Sequence, residues 1–168
     1  MVINSDELLK LEPIKGMATR KISEHGMSYG LGEAGYDIRI KQGIWFDPGR
    51  LCVTRKDGEF IINEEAFSGR FVLASAIEEF QMPGTLMGIV HDKSTWARRG
   101  LSVFNTVIEP GWMGHLTLEL VYHGNEPLHI PAGSGIAQVV FHEVAVPAWY
   151  AGKYQNQEDR PVGAKESK

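Results

Sequence analysis

Cysteine is almost absent: Cys52 stands alone in 168 residues. No intramolecular disulfide can form, so a reducing, cytoplasmic setting is expected. One cysteine also excludes the zinc-deaminase signature, whose downstream Pro-Cys-x-x-Cys needs two. The histidines show no His-Glu-x-x-His spacing, and no zinc site is expected. No apolar run approaches the roughly 18 residues that a membrane-spanning helix needs. The first residues carry no basic-then-apolar leader pattern. An excess of basic charge is missing too: 17 Lys and Arg stand against 21 Asp and Glu, a net charge of −4. Nucleic acid is therefore not an expected partner. A small anion bound in a local basic pocket stays compatible with that balance.

Long helical periodicity is also scarce. Ser5 to Leu11 reads as a short helix capped by Ser5 or Asn4 and ended by Pro13. Residues 15–32 are polar and glycine-containing and read as a loop. After them come short apolar runs at strand spacing: 34–40, 44–46, 51–54, 60–62, 70–74, 77–82, 86–90, 101–104, 115–121, 128–130 and 136–141. Turn chemistry separates several of them, as in Asp47-Pro48-Gly49, Lys56-Asp57-Gly58 and Pro83-Gly84. The 19 Gly and 8 Pro fit such a chain. The expected class is mostly β: a sandwich, jelly roll or barrel with a short N-terminal helix and one short central helix. Residues 1–152 form one domain in this reading, and 153–168 a mobile tail.

The central helix falls in His91-Asp92-Lys93-Ser94-Thr95-Trp96-Ala97-Arg98-Arg99-Gly100. Ser94 is a candidate N-cap, and Gly100 can end the turn. Lys93 beside backbone N–H groups suits a phosphate. Arg98 lies four residues after Ser94, on the same side of one turn. A solvated basic turn is the alternative. Downstream, Pro110-Gly111 places Glu109 at a strand end. In His115 to Val121, Leu116, Leu118 and Leu120 share one face, so Glu119 points the other way; it is either a solvent-facing strand residue or a functional carboxylate. Gln138, within the apolar run 136–141, needs a hydrogen-bond partner if buried. Asp37 and Arg39, on one strand, form a simple ion pair or help to build an interface or a nucleotide site.

Taken together, five segments resemble the dCTP deaminase branch of the trimeric dUTPase-like superfamily. They are Ala34-Gly35-Tyr36-Asp37-Ile38-Arg39, Lys93-Ser94-Thr95-Trp96-Ala97-Arg98, Ile108-Glu109-Pro110-Gly111-Trp112-Met113-Gly114 with Thr117-Leu118-Glu119, Gly135-Ile136-Ala137-Gln138, and Gly152-Lys153-Tyr154-Gln155-Asn156-Gln157. Arg98 and Glu119 distinguish this branch from ordinary dUTPases, as does the missing glycine-rich C-terminal motif. The resemblance implies a dUTPase-like distorted barrel or jelly roll and a homotrimer with inter-subunit sites. It implies hydrolytic deamination of dCTP to dUTP and ammonia, supplying dUTP for thymidylate synthesis without a catalytic metal. Glu119 would be the general base, with Ser94 orienting the reactants and Arg98 fixing the carboxylate. Lys93, Ser94 and Thr95 would hold phosphates, and Mg²⁺ would enter on the triphosphate. Val107, Ile108, Glu109, Trp112, Gln138 and Tyr150 would contact base or sugar, with Lys153, Tyr154 and Gln157 closing over them.

Three positions depart from the family pattern. Asp92 replaces a glycine, Val107 a frequent basic residue, and Glu109 the usual Asp. The longer Glu109 argues against dUTPase activity. Ser94, Arg98 and Glu119 are equally compatible with a bifunctional enzyme giving dUMP and diphosphate. A catalytically silent nucleotide-binding trimer is the alternative from another class.

Overall fold

The computed structural model describes residues 1–48, 53–56, 59–62 and 69–166. Cys52 lies outside them, as do Gly49, Asp57 and Gly58 of two expected turns. The elements in order are β1 (Val2–Ile3), α1 (Ser5–Leu11), β2 (Lys21–Glu24), β3 (Met27–Leu31), β4 (Tyr36–Arg39), β5 (Ile44–Phe46), β6 (Val53–Lys56), β7 (Glu59–Ile62), β8 (Phe71–Gln81), β9 (Leu86–Asp92), α2 (Ser94–Ala97), β10 (Leu101–Val103), β11 (Val107–Ile108), β12 (Met113–Tyr122), β13 (Leu128–Ile130) and β14 (Gly135–Glu143). The mostly-β class with two short helices is the one read from the sequence.

Seven strands form the largest sheet, ordered β11-β9-β14-β4-β3-β2 with β1 added to β14. A three-stranded sheet runs β10-β12-β8, and β13-β5 and β6-β7 pair separately. Among the described residues these are four distinct sheets and not one closed barrel. Apolar alternation explains how they pack. Ile38 of β4, Val139 and Phe141 of β14, Leu118 and Leu120 of β12 and Phe80 of β8 are all at most 1% exposed and share one core. Burying each such side chain stabilises the fold by about 1.5–3 kcal/mol. Isolated bridges Ile40↔Ala76 and Ile14↔Phe80 tie the surrounding segments to β8.

Two expectations are corrected. Residues 15–32 are not a plain loop, because β2 and β3 form a hairpin within them, Lys21 opposite Gly30 and Glu24 opposite Met27. All four β2 residues are exposed, so no apolar alternation marks the strand. Its turn is His25-Gly26, both at positive φ (50° and 72°), the conformation of a two-residue hairpin loop. The runs 70–74 and 77–82 are one continuous strand, β8. Ser75 and Ala76 resemble a break in the apolar pattern, yet both are fully buried. Small side chains there let neighbouring chain approach: the Lys41 N–H donates to the Ser75 carbonyl at 2.8 Å, and the Ser75 N–H donates to Gln42 Oε1 at 2.8 Å.

Asp37 and Arg39 do not pair with each other. Arg39 donates from Nε to Glu78 Oε1 at 2.9 Å and from its backbone N–H to Oε2 at 2.8 Å. Glu78 is only 5% exposed. Burial raises its pKa, and the Arg39 contacts oppose that rise. Replacing one partner of such a pair leaves the other uncompensated. Glu78→Ala is expected to destabilise the fold by about 3 kcal/mol, read as a lower denaturant midpoint.

Candidate active site

The strand β9 delivers Lys93 to a polar cavity of about 510 Å³. Lys93 itself caps α2, and Ser94 is the first helical residue and not the cap. No side-chain capping bond forms, which leaves the Ser94 hydroxyl outside that role. Trp96 anchors the turn: it is 2% exposed, and its Nε1 donates to the Gly135 carbonyl at 2.7 Å. The Arg98 N–H closes the turn on the Ser94 carbonyl at 3.0 Å, and Gly100 leaves it at φ 85°. Asp92 Oδ1 accepts the Val103 N–H at 2.7 Å, joining the end of β9 to β10.

Asp37 lies at the cavity's inner wall, 3% exposed. Lys93 Nζ donates to its carboxylate and to Ser28 Oγ, the latter at 3.1 Å. Ser28 Oγ donates to Asp37 at 3.3 Å, and Gln138 Nε2 donates to its other oxygen, also at 3.3 Å. The amide of Gln138 therefore has its partner. Lys21, Asp92, Ser94 and Thr95 complete the charged and hydroxyl-bearing walls.

Glu119 occupies a second cavity, also about 510 Å³ and mostly apolar. It lies opposite Leu73 in the β12–β8 ladder, beyond a register shift between His115 and Thr117. Leu118 and Leu120 turn into the core, so Glu119 faces Phe71, Val107, Ile108, Trp112 and Leu116. Its Oε2 is shielded from solvent without a hydrogen-bond partner. Burial raises its pKa, opposed only by its own backbone amide. Thr106, Glu109 and Thr117 are the other polar groups of this wall.

The C-terminal segment packs against the same cavity. Trp112 Nε1 donates to the Tyr154 carbonyl at 2.7 Å, and the Asn156 N–H to the Met113 carbonyl at 2.9 Å. The His115 N–H donates to the Gln157 carbonyl at 3.1 Å. Gly114, at φ 127°, permits this approach, since a Cβ there would sit 2.5 Å from the Gln157 nitrogen. Further on, the Val162 N–H donates to Thr117 Oγ1 at 3.0 Å. Tyr150, Tyr154, Gln157, Val162 and Ala164 all line the cavity.

Within one chain the expected site residues fall into two groups. Lys93, Ser94, Thr95 and Gln138 line the polar cavity; Val107, Ile108, Glu109, Trp112, Glu119, Tyr150, Tyr154 and Gln157 line the apolar one. The cavities share no residue, and Arg98 and Lys153 line neither. Lys153 instead lies over the Tyr154 ring, 5.3 Å from its centroid. Ser28, in the stretch 15–32, and Gln155, within the tail segment, join the expected residues; neither carries a local sequence signal for its contacts. Gln155 fixes the tail's approach, accepting the Met113 N–H at 2.8 Å and donating to the Gly111 carbonyl at 2.8 Å. Among the described residues no three His, Cys, Asp or Glu side chains are grouped to hold a metal ion. The polar cavity does offer carboxylate, hydroxyl and amide oxygens, the donor set that suits Mg²⁺.

The dCTP deaminase-like family model covers residues 14–144. A dCTP deaminase of Acidobacterium capsulatum is 34% identical, over 94% of this chain and 96% of that protein. One of Campylobacter hominis is 36% identical, over 94% and 93%. Among solved structures, a dUTPase variant from phage phi11 of S. aureus superposes with a TM-score of 0.52 at 13% identity, over 84% of this chain and 94% of that one. Its likeness establishes the fold. With relatives aligned almost from end to end and the family's pattern running from residue 14 to the end of β14, the chain belongs to the dCTP deaminase family.

Proposed function

We propose that this protein hydrolyses dCTP to dUTP and ammonia, with Glu119 as general base, in a site completed between the subunits of a homotrimer. The observation that carries the reading is the Glu119 carboxylate: one oxygen is buried without a partner in an apolar cavity of about 510 Å³. An unsatisfied buried carboxylate has a heightened affinity for a proton, which is what a base acting on water needs. The apolar walls suit a pyrimidine and a deoxyribose, and the backbone of β11 with the adjoining Glu109 offers the polar edge that a base requires.

In this mechanism Glu119 takes a proton as the water oxygen bonds to cytosine C4. That proton passes to ring N3 and stays there; Glu119 then carries the proton of the new C4 hydroxyl to the amine, so that C4=O forms as the C4–N bond breaks and ammonia leaves. Ser94 orients the reactants, and Arg98 offsets the charge of the tetrahedral centre. Neither lines the cavity of Glu119 in its own chain, so a neighbouring subunit supplies them. Lys93, Ser94 and Thr95 receive the phosphates. Mg²⁺ would enter on the triphosphate, beside the exposed carboxylate of Asp92, and would supply neutralisation of the phosphate charge. Tyr154 and Gln157 close over the nucleotide and exclude water, with Lys153 adding charge.

Incubation with dCTP and Mg²⁺, followed by anion-exchange separation, is expected to yield dUTP; dUMP with diphosphate identifies the bifunctional alternative, and unchanged dCTP refutes the reading. Glu119→Gln is expected to lower kcat by about 10²–10⁴-fold while retaining dCTP binding. A base must be ionised, and burial lifts the Glu119 pKa. The acid limb of the wild-type kcat/KM profile should therefore lie above the ordinary glutamate value of 4.5. Removing residues 153–168 should raise KM about tenfold (~1.4 kcal/mol of lost contacts) and leave the oligomer intact by light scattering.

A further inference from the structure

The cavity that holds Lys93 carries no net formal charge. Lys21 and Lys93 are its cations, and Asp37 and Asp92 its anions. Both cations are already engaged: Lys93 with buried Asp37, and Lys21 with Glu33 at 2.6 Å. Among the described residues Asp92 pairs with no cation; its one hydrogen bond is the Val103 N–H, taken by Oδ1. It lies exposed on the rim, next to Lys93 and two residues from Ser94. A nucleotide triphosphate brings several negative charges to this wall, and like charges held together in a partly enclosed space repel strongly.

We infer that Asp92 is a specificity-determining residue that makes the cavity select the metal-loaded nucleotide over the bare triphosphate. This rests on the proposed use of the cavity for the phosphates of dCTP. A divalent cation on the phosphates cuts their charge and, where the ion faces Asp92, turns repulsion into attraction. Asp92 acts here through its charge. Its hydrogen bond to β10 is a separate, structural task, and an amide oxygen can perform it equally well.

That separation supplies the test. Calorimetry measures dCTP binding in excess Mg²⁺ and in EDTA, using the full chain carrying Glu119→Gln so that turnover does not intervene. This protein should bind the Mg²⁺ form at least tenfold more tightly. Adding Asp92→Asn, which keeps an acceptor for the Val103 N–H, should tighten binding of the metal-free form and shrink the preference by roughly tenfold, the scale of one unit-charge contact at a protein surface. Asp92→Ser, a second uncharged acceptor, should reproduce the change if the Asn variant misfolds. An equal preference with and without Asp92, or no preference in its presence, overturns the inference. Wild-type turnover of dCTP, run alongside, separates the failures. Formation of dUTP with an unchanged preference refutes the role of Asp92 alone, whereas absence of both binding and product refutes the deaminase reading as well.

Discussion

A carboxylate buried in the middle of a sheet has to be satisfied, and Asp37 is satisfied from three directions. Ser28 reaches it from β3, Gln138 from β14 and Lys93 from the end of β9. Leaving such a group unpaired costs several kcal/mol, so these contacts constrain where three strands and the α2 turn sit relative to one another. The β2–β3 hairpin, otherwise an exposed edge, is held to the body of the protein partly through Ser28. Trp96 fastens the other side of the same turn to the Gly135 carbonyl. The position of Ser94 and Thr95 follows from these anchors.

Glu119 presents the opposite situation. Asp37 has partners for both oxygens, whereas Glu119 has a buried oxygen with none. One carboxylate is used in architecture, and the other is left free for the chemistry proposed for it. Their surroundings differ accordingly: donors converge on Asp37, while aromatic and aliphatic walls surround Glu119. Burial among those walls raises the proton affinity of Glu119.

Much of this was legible in the residues. The alternation in 115–121 put Glu119 on the face away from Leu118 and Leu120, although Leu116, beside the register shift, lines the cavity of Glu119; the polar amide of Gln138 demanded a partner. The central turn, its glycine stop and most strands followed from period and turn chemistry. What stayed hidden shares a cause. Exposed β2 has no apolar rhythm to betray it, and Ser75-Ala76 interrupts the rhythm of β8 while belonging to it. The pairing of Asp37 with Lys93, and of Arg39 with Glu78, joins residues 56 and 39 positions apart, and local pattern carries no information about such partners. The separation of Lys93 and Glu119 into two cavities is likewise a property of the folded chain.

The register shift between β12 and β8 has a consequence for how the protein can vary. From His115 to Thr117 β12 advances two residues, while β8 advances four, from Glu79 to Ser75. The additional residues belong to β8, in the stretch that contains Glu78, whose carboxylate holds Arg39. A bulge re-aims side chains on the strand that carries it. Remodelling that stretch of β8 therefore acts on the Arg39 pair and inserts or deletes nothing in the strand that carries Glu119. Holding β4 and aiming Glu119 are tasks of different strands, so they can vary separately in evolution without a change of fold.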